Sequence, residues 1–411
     1  MTVQIKPILS ALRRHKAGTF LIAMQIALTL AIVCNALFII QQRLAHLSEP
    51  TGLDEPNIFV VQNEWVGQAN TEQVDAKMRE DVSVLRALPG VQDATPSNSY
   101  PLRGGGWDDG IKLKPDQLQD TSGAAIYFGD DHFIDTLGIK LVAGRNFRAE
   151  EITPMNVRDR LSPPVVIVTK ALADKLFPNG DAVGKTIYLV GGSTTIIGVV
   201  DLLQSQSVDR WAAGFAYRSV IVPKRLAISL GGWYLVRARP GQLDAVMRAA
   251  PKALFEHNPR RVINDEDGVL SFSEVRSRAY ERDRGMAILM GVICVVLLAI
   301  TAAGIVGLTS FWVGQRRKQI GVRRALGATR QDILHYFMTE NFLISCGGVV
   351  VGTLLAVAIN LWLVTRFEMH RLSLVYVLVG VVILLLLGQG AVLAPAMRAS
   401  RVPPVEATRS V

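Results

Sequence analysis

Only three cysteines occur in 411 residues, and none lies in the long charged segment between Arg43 and Arg284. That segment has no disulfide and must be stabilised by its own core. Histidine is also scarce: His15, His46, His132, His257, His335 and His370 are scattered without metal-ligand spacing, which speaks against a metal site. No Ser/His/Asp, Cys/His or paired-carboxylate arrangement can be assembled from the spacing. Asp108-Asp109, Asp130-Asp131 and Asp265-Glu266-Asp267 read as solvated loops. The chain is therefore expected to be non-catalytic, with no cofactor or metal bound directly. Charged residues make up only 19% of the chain, and the mean hydropathy of +0.29 is too apolar for a soluble protein of this size.

Four long uncharged runs account for that value: Ala17 to Gln42, Gly285 to Gln315, Asn341 to Thr365 and Leu372 to Met397. Each exceeds the roughly 20 helical residues needed to cross a hydrocarbon core. The first is too long for the apolar part of a secretory leader, no cleavage site precedes Arg43, and Val33 before Cys34 does not suit a lipidation site, so an uncleaved anchor is expected. The three cysteines, Cys34, Cys294 and Cys346, fall inside these runs.

Charge gives the orientation. The segment from Arg43 to Arg284 carries 29 Lys and Arg against 31 acids, whereas the rest carries 15 against 4. The excess sits at the N-terminus (Lys6, Arg13, Arg14, Lys16), in the second loop (Arg316, Arg317, Lys318, Arg323, Arg324, Arg330) and at the C-terminus (Arg398, Arg401, Arg409). The positive-inside rule places all three in the cytoplasm and the long segment outside, as an even number of spans permits. The net charge of +9 is thus a topology signal that implies membrane lipids and no nucleic-acid partner.

These features predict a polytopic α-helical membrane protein with four transmembrane helices, arranged one-plus-three, and a large mixed α/β extracytoplasmic domain. Residues 1–16 form an amphipathic cytoplasmic helix, 17–47 the first span and a stalk, and 48–270 the outer domain. Residues 271–315 form a second stalk and span, 316–340 a cytoplasmic loop, 341–365 and 372–397 two further spans around a short outer loop at 366–371, and 398–411 a tail. Ile5, Ile8, Leu9 and Leu12 give the N-terminal helix its apolar side, and Glu49-Pro50 ends the first stalk. Ser271-Phe-Ser-Glu274 is a capping box that opens the second stalk, with Glu274 and Arg278 spaced to pair.

Within the outer domain, strands are expected at 58–62, 165–169, 186–190, 194–200, 217–222 and 233–237, with helices at 71–88, 170–177 and 242–255. Such alternation suggests one or two layered subdomains with helices on one sheet face. The Gly- and Pro-rich stretch from Thr95 to Pro115 reads as a subdomain junction or mobile loop. Gly180-Asp-Ala-Val-Gly-Lys-Thr186 imitates a phosphate loop but is one residue short and leads into a strand, so it is expected to be a turn.

The most informative segment is the second loop, Gln315-Arg-Arg-Lys-Gln-Ile-Gly-Val-Arg-Arg-Ala-Leu-Gly-Ala-Thr329-Arg-Gln-Asp332. Gly327 is placed to end a short basic helix in a left-handed cap, and Thr329 with Asp332 to start the next. This loop resembles that of the FtsX-like, MacB-type ABC transporter permease family. So does the ending, Pro395-Ala-Met-Arg-Ala-Ser-Arg-Val-Pro-Pro404, and so do Leu137-Gly-Ile-Lys-Leu-Val-Ala-Gly144, Val165-Val-Ile-Val-Thr169 and Ile196-Ile-Gly-Val-Val200 in the outer domain.

The resemblance implies a permease subunit of a bacterial cytoplasmic (inner) membrane, paired as a homodimer or with a paralogue. ATP would be bound and hydrolysed by a separate cytoplasmic ABC ATPase, because only about 16 residues precede the first span. Arg316, Arg317, Lys318, Ile320, Gly321, Arg323, Arg324, Ala325, Leu326, Gly327 and Thr329 would form the ATPase-coupling element, whose push travels through the stalks to the outer domain by mechanotransmission. Export of a drug, peptide or other amphiphile, with a possible periplasmic adaptor and outer-membrane channel, is the expected role. Control of a cell-wall hydrolase or antibiotic response, and lipoprotein release, are the alternatives.

Small residues that permit close helix approach, Ala303, Gly307, Gly348 and Gly352, are expected at a dimer interface. Gln25, Asn35, Asn360 and Gln389 are expected to hydrogen-bond between helices.

Overall fold

The computed structural model describes residues 16–67, 69–228, 231–367 and 372–403. The amphipathic helix expected before the first span lies outside the described residues, as does most of the connection at 366–371. Two compact units are present: the chain up to Ser48 together with the chain from Arg282 onward, and Glu49–Glu281.

The chain enters through α1 (Lys16–Leu47), one continuous helix that stops just before Glu49-Pro50. The Glu49–Glu281 unit then runs through β1 (Ile58–Trp65), α2 (Thr71–Ala87), β2 (Val91–Ser97), β3 (Trp107–Ile111), β4 (Ser122–Phe128), α3 (Phe133–Leu137), β5 (Leu141–Gly144) and β6 (Thr153–Met155). It continues through β7 (Val165–Thr169), α4 (Lys170–Leu176), β8 (Thr186–Leu189), β9 (Gly192–Val200), β10 (Ser219–Val222), β11 (Lys224–Leu226) and β12 (Gly231–Ala238). It closes with α5 (Leu243–His257), β13 (Arg261–Val262), β14 (Val269–Ser271) and α6 (Phe272–Ala279).

These strands make two main sheets. The first is antiparallel, ordered β13-β1-β12-β2 with β14 also on β1, and the second is mixed, ordered β3-β4-β10-β7-β9-β5 with β8 on β9. On the first sheet the period of two puts Phe59, Val61, Tyr234 and Val236 on one face, where Met78 and Val82 of α2 and Val246 and Leu254 of α5 cover them. A capping box of Asn70 and Gln73 starts α2. The second sheet has its own core, in which Ile126, Phe128, Val166, Val168, Val220 and Val222 meet Leu172 and Leu176 of α4.

The stretch from Thr95 to Pro115 leads from the first sheet to the second, since it holds the end of β2 and all of β3. It is closely tied down. The Asn98 side chain donates to the Ile126 carbonyl at 3.2 Å and accepts from the Phe128 N–H at 2.8 Å, replacing the ladder bonds that a strand would have made. Residues 180–185 form a turn, with Gly184 at φ +82°, before Thr186 opens β8.

The second stalk differs from expectation. Its capping box is present, but α6 ends at Tyr280 (φ −105°, ψ 9°) and a separate helix, α7 (Glu281–Gln315), follows. The expected Glu274–Arg278 pair is absent because Glu274 accepts from the Ser271 N–H at 2.8 Å, while Arg278 pairs with Asp267. Three helices complete the chain: α8 (Arg317–Ala325), α9 (Arg330–Phe367) and α10 (Leu374–Ser400). Four helices, α1, α7, α9 and α10, are long and apolar enough to cross a membrane. The fold is thus one-plus-three apolar helices flanking a mixed α/β domain.

Candidate coupling site

The basic loop folds as a short helix held by turns at both ends. Gly327 adopts φ +98°, a left-handed conformation that suits glycine, and the Ala328 N–H returns to the Arg323 carbonyl at 3.0 Å. Asp332 then accepts from the Thr329 N–H at 2.9 Å and donates its own N–H to the Thr329 hydroxyl, so α9 begins at once. Reversing the chain in so few residues leaves α8 little freedom relative to α9.

Side chains add further contacts to both neighbouring helices. The Arg316 guanidinium lies between α7 and α9 and donates through Nη1 to both Glu340 oxygens, at 3.0 and 2.9 Å, with both residues buried. Ile320 packs against Ile333 and Phe337 of α9 in the core of the helical unit. Arg323 lies 4.8 Å from the centre of the Tyr336 ring, a cation–π contact. Arg324 donates to the carbonyls of Ser400 and Val402 at 2.8 and 3.2 Å, tying α8 to the end of α10.

The eleven residues read from the sequence therefore separate into two sets. Arg316, Ile320, Gly321 and Arg324 are turned toward the helical unit, whereas Arg317, Lys318, Ala325, Leu326 and Thr329 are exposed. Arg323 is exposed yet stacked, and Gly327 is the cap. Val322 and Leu326 are large apolar groups left in the open, Leu326 at 83% exposure.

Glu340, the buried partner of Arg316, is not among the residues that the sequence pointed to. It lies just before the uncharged run that starts at Asn341, so a search for apolar runs stops one residue short of it. An acid at the edge of a span, facing an arginine-rich loop, was the available signal.

Gly348 and Gly352, two of the four residues expected at a dimer interface, are buried within the chain. A Cβ on Gly348 would lie 2.7 Å from the Ala23 carbonyl oxygen, and one on Gly352 2.8 Å from that of Ala27. Their close approach is made to α1 of the same chain. Ala303 and Gly307 are instead on the exposed side of α7. Gln25 and Asn35 do bridge helices, donating to the carbonyls of Ile300 (3.1 Å) and Ala356 (3.2 Å). Asn360 accepts from the Leu372 N–H before α10, and Gln389 Nε2 is buried without a partner among the described residues.

Ion pairs also tie the two connections to the outer domain. In the helical unit, Asp283 of α7 takes Arg43 at 2.6 Å and His46 at 3.0 Å from α1. In the outer unit, Arg276 of α6 donates to both oxygens of Glu55, at 2.8 and 2.6 Å, and to the Glu49 carbonyl. Burial pushes the Glu55 carboxyl up, but hydrogen bonds from Arg276 and Thr51 outweigh it and hold it below its ordinary value. Among the described residues no three His, Cys, Asp or Glu side chains converge as a metal site.

Known proteins agree with this architecture. A MacB-like periplasmic core domain model matches residues 19–253, and an FtsX-like permease C-terminal model matches residues 291–404. An uncharacterized ABC transporter permease of Bacillus subtilis (strain 168), YvrN, is 25% identical over 300 residues, 71% of each chain. The macrolide export ATP-binding/permease protein MacB of Chromobacterium violaceum is 26% identical over 77% of this chain and 49% of its own length. MacB 2 of Aeromonas hydrophila is 25% identical over 97% of this chain and 59% of its own length. The chain thus spans about half the length of these MacB relatives. Among solved structures, the periplasmic region of MacB from Actinobacillus actinomycetemcomitans aligns at 14% identity and a TM-score of 0.36, covering 57% of this chain and 97% of that one. With the core-domain match covering more than half of its residues and the permease match following in order, the chain belongs to the MacB/FtsX-like family of ABC transporter permeases.

Proposed function

We propose that this chain couples ATP hydrolysis by a separate cytoplasmic ABC ATPase to motion of its outer domain, for export of a drug, peptide or other amphiphile by mechanotransmission. The observation that carries the reading is the mounting of α8: clamped to α9 through Arg316–Glu340 and to the end of α10 through Arg324, with Leu326 exposed. A rigid element mounted in this way passes a push to two spans at once.

The charge asymmetry supports the orientation, with α8 in the cytoplasm and the Glu49–Glu281 unit outside a bacterial inner membrane. Two copies of the chain, or the chain and a paralogue, would pair with two ATPase subunits. The exposed apolar side of α7, which includes Val295, Ile300, Ala303 and Gly307, supports a subunit interface there. A periplasmic adaptor and outer-membrane channel would complete an efflux assembly.

Reconstitution of the chain with its co-purifying ATPase tests the coupling role. Leu326→Glu is expected to abolish association with the ATPase. Glu340→Gln is expected to leave association intact while removing the ATPase stimulation that the wild-type permease gives. Normal stimulation in both variants would sink the proposal.

A further inference from the structure

The outer unit contains a cleft of about 420 Å³ that the coupling reading does not use. That volume is within the range of small-molecule sites. One wall is the face of the first sheet away from α2 and α5, where Gln62 and Trp233 are paired across the β1–β12 ladder. Leu270 of β14 and Val275 of α6 form a second wall. The third is the passage between the sheets, with Tyr100, Leu102 and Arg103, which backbone bonds from Leu102 to Ser205 and from Gly104 to Gln206 hold in place.

Three observations suggest a ligand. First, Leu102 has φ +67°, the one positive φ outside glycine among the described residues, and its side chain is buried. A branched residue held in that conformation marks a segment whose shape the surrounding fold imposes, and such segments cluster at ligand sites. Second, Arg103 lies 3.9 Å over the Trp233 ring and donates to the Gly105 carbonyl, and among the described residues it has no carboxylate partner. The cleft's other arginine, Arg278, is neutralised by Asp267, and Asp209 on the rim accepts from the Ser207 hydroxyl. Third, the Tyr100 hydroxyl has no hydrogen-bond partner among the described residues. Burial raises its pKa against the pull of Arg103, so it is a neutral donor.

We propose that this cleft binds an amphiphile with a single anionic head group, held by Arg103 and Tyr100 while its apolar body lies against Val208 and Ala279, backed by Leu270 and Val275. A planar guanidinium already stacked on an indole offers a paired set of donors that suits a carboxylate or phosphate. The apolar side formed by Val208, Leu270, Val275 and Ala279 favours a hydrocarbon tail over a bare inorganic anion. That this ligand is the exported cargo rests on the export reading. Its binding to the permease does not.

The test is equilibrium binding to the full chain in zwitterionic nanodiscs, without nucleotide or ATPase, with empty nanodiscs as the blank. Calorimetry with octanoate and monooctyl phosphate, both below micelle formation, is expected to show saturable binding of at least one. That binding should weaken by at least about tenfold in Arg103→Gln, with Arg103→Lys falling between. Octyltrimethylammonium and octyl glucoside are expected not to compete. Trp233→Phe should still bind calorimetrically while losing the change in tryptophan emission that the wild type shows. Equal binding by wild type and Arg103→Gln, or equal competition by the cationic or neutral amphiphile, would overturn the proposal. Loss of ATPase coupling in the earlier experiment would leave this result unaffected, and the reverse holds too.

Discussion

Each unit of the molecule has, among the described residues, an arginine–carboxylate pair with both partners buried, and the two pairs differ in what they join. In the outer unit, Arg261 and Asp81 are 0% and 1% exposed and meet through two bonds at 2.7 and 2.9 Å. Asn63, the Asn258 carbonyl and the Tyr234 hydroxyl supply further hydrogen bonds to the pair. The network lies under the first sheet and joins elements of one core. In the helical unit, Arg316 and Glu340 are 10% and 3% exposed and join two helices where they meet α8. The first pair joins strands and a helix within one core, while the second joins helices at the end of the short basic helix. A buried charge is costly unless paired, so each location shows where the fold needs a fixed geometry.

The largest expected effect separates these roles. Arg261→Leu leaves Asp81 buried without its cation and should destabilise the outer domain by about 3–5 kcal/mol, seen as a lower thermal midpoint of that domain. Glu340→Gln should leave that midpoint where it is. Equal loss in both variants would erase the distinction.

A smaller effect tests how the helical unit is packed. Gly352→Val places a branched side chain against the Ala27 carbonyl and should cost about 1–3 kcal/mol by overpacking. Loss of a designed α1–α9 cysteine crosslink in that variant would report it. Gly307→Val, with nothing within 4 Å of its Cβ position, should not disturb that crosslink.

The smallest effect is in pH dependence. Because Glu55 is held below its ordinary value, its pairing with Arg276 contributes stability that is present above about pH 4.5 and lost as pH falls through the lower folded value. Glu55→Gln should flatten the outer domain's stability profile over that acid range and leave the neutral range parallel to wild type. An unchanged acid limb would rule out this contribution.

How much was legible in the sequence varied with the kind of signal. Some strands and helices of the outer unit were readable, because Val165–Thr169 is a continuous apolar run and the α2 stripe has a helical period. Between Val91 and Met155 the strands contain Gly, Pro or Asp, and their pairing is largely non-local, as where β10 lies between β4 and β7. No local pattern contains that information. The caps at Ser271, Gly327 and Thr329 were legible because a cap is satisfied by residues only three or four positions away.

The sequence by itself determined that this chain has four membrane-length helices, a long intervening α/β segment and a capped basic helix, because hydropathy, charge and capping are local properties. Only the tertiary structure decided what neighbouring residues do. Arg316 is turned inward to Glu340 while Arg317 beside it is exposed, and Gly348 and Gly352 admit α1 of their own chain. Those assignments depend on which helices pack together, and a partner far away in the chain leaves no trace in the spacing of nearby residues.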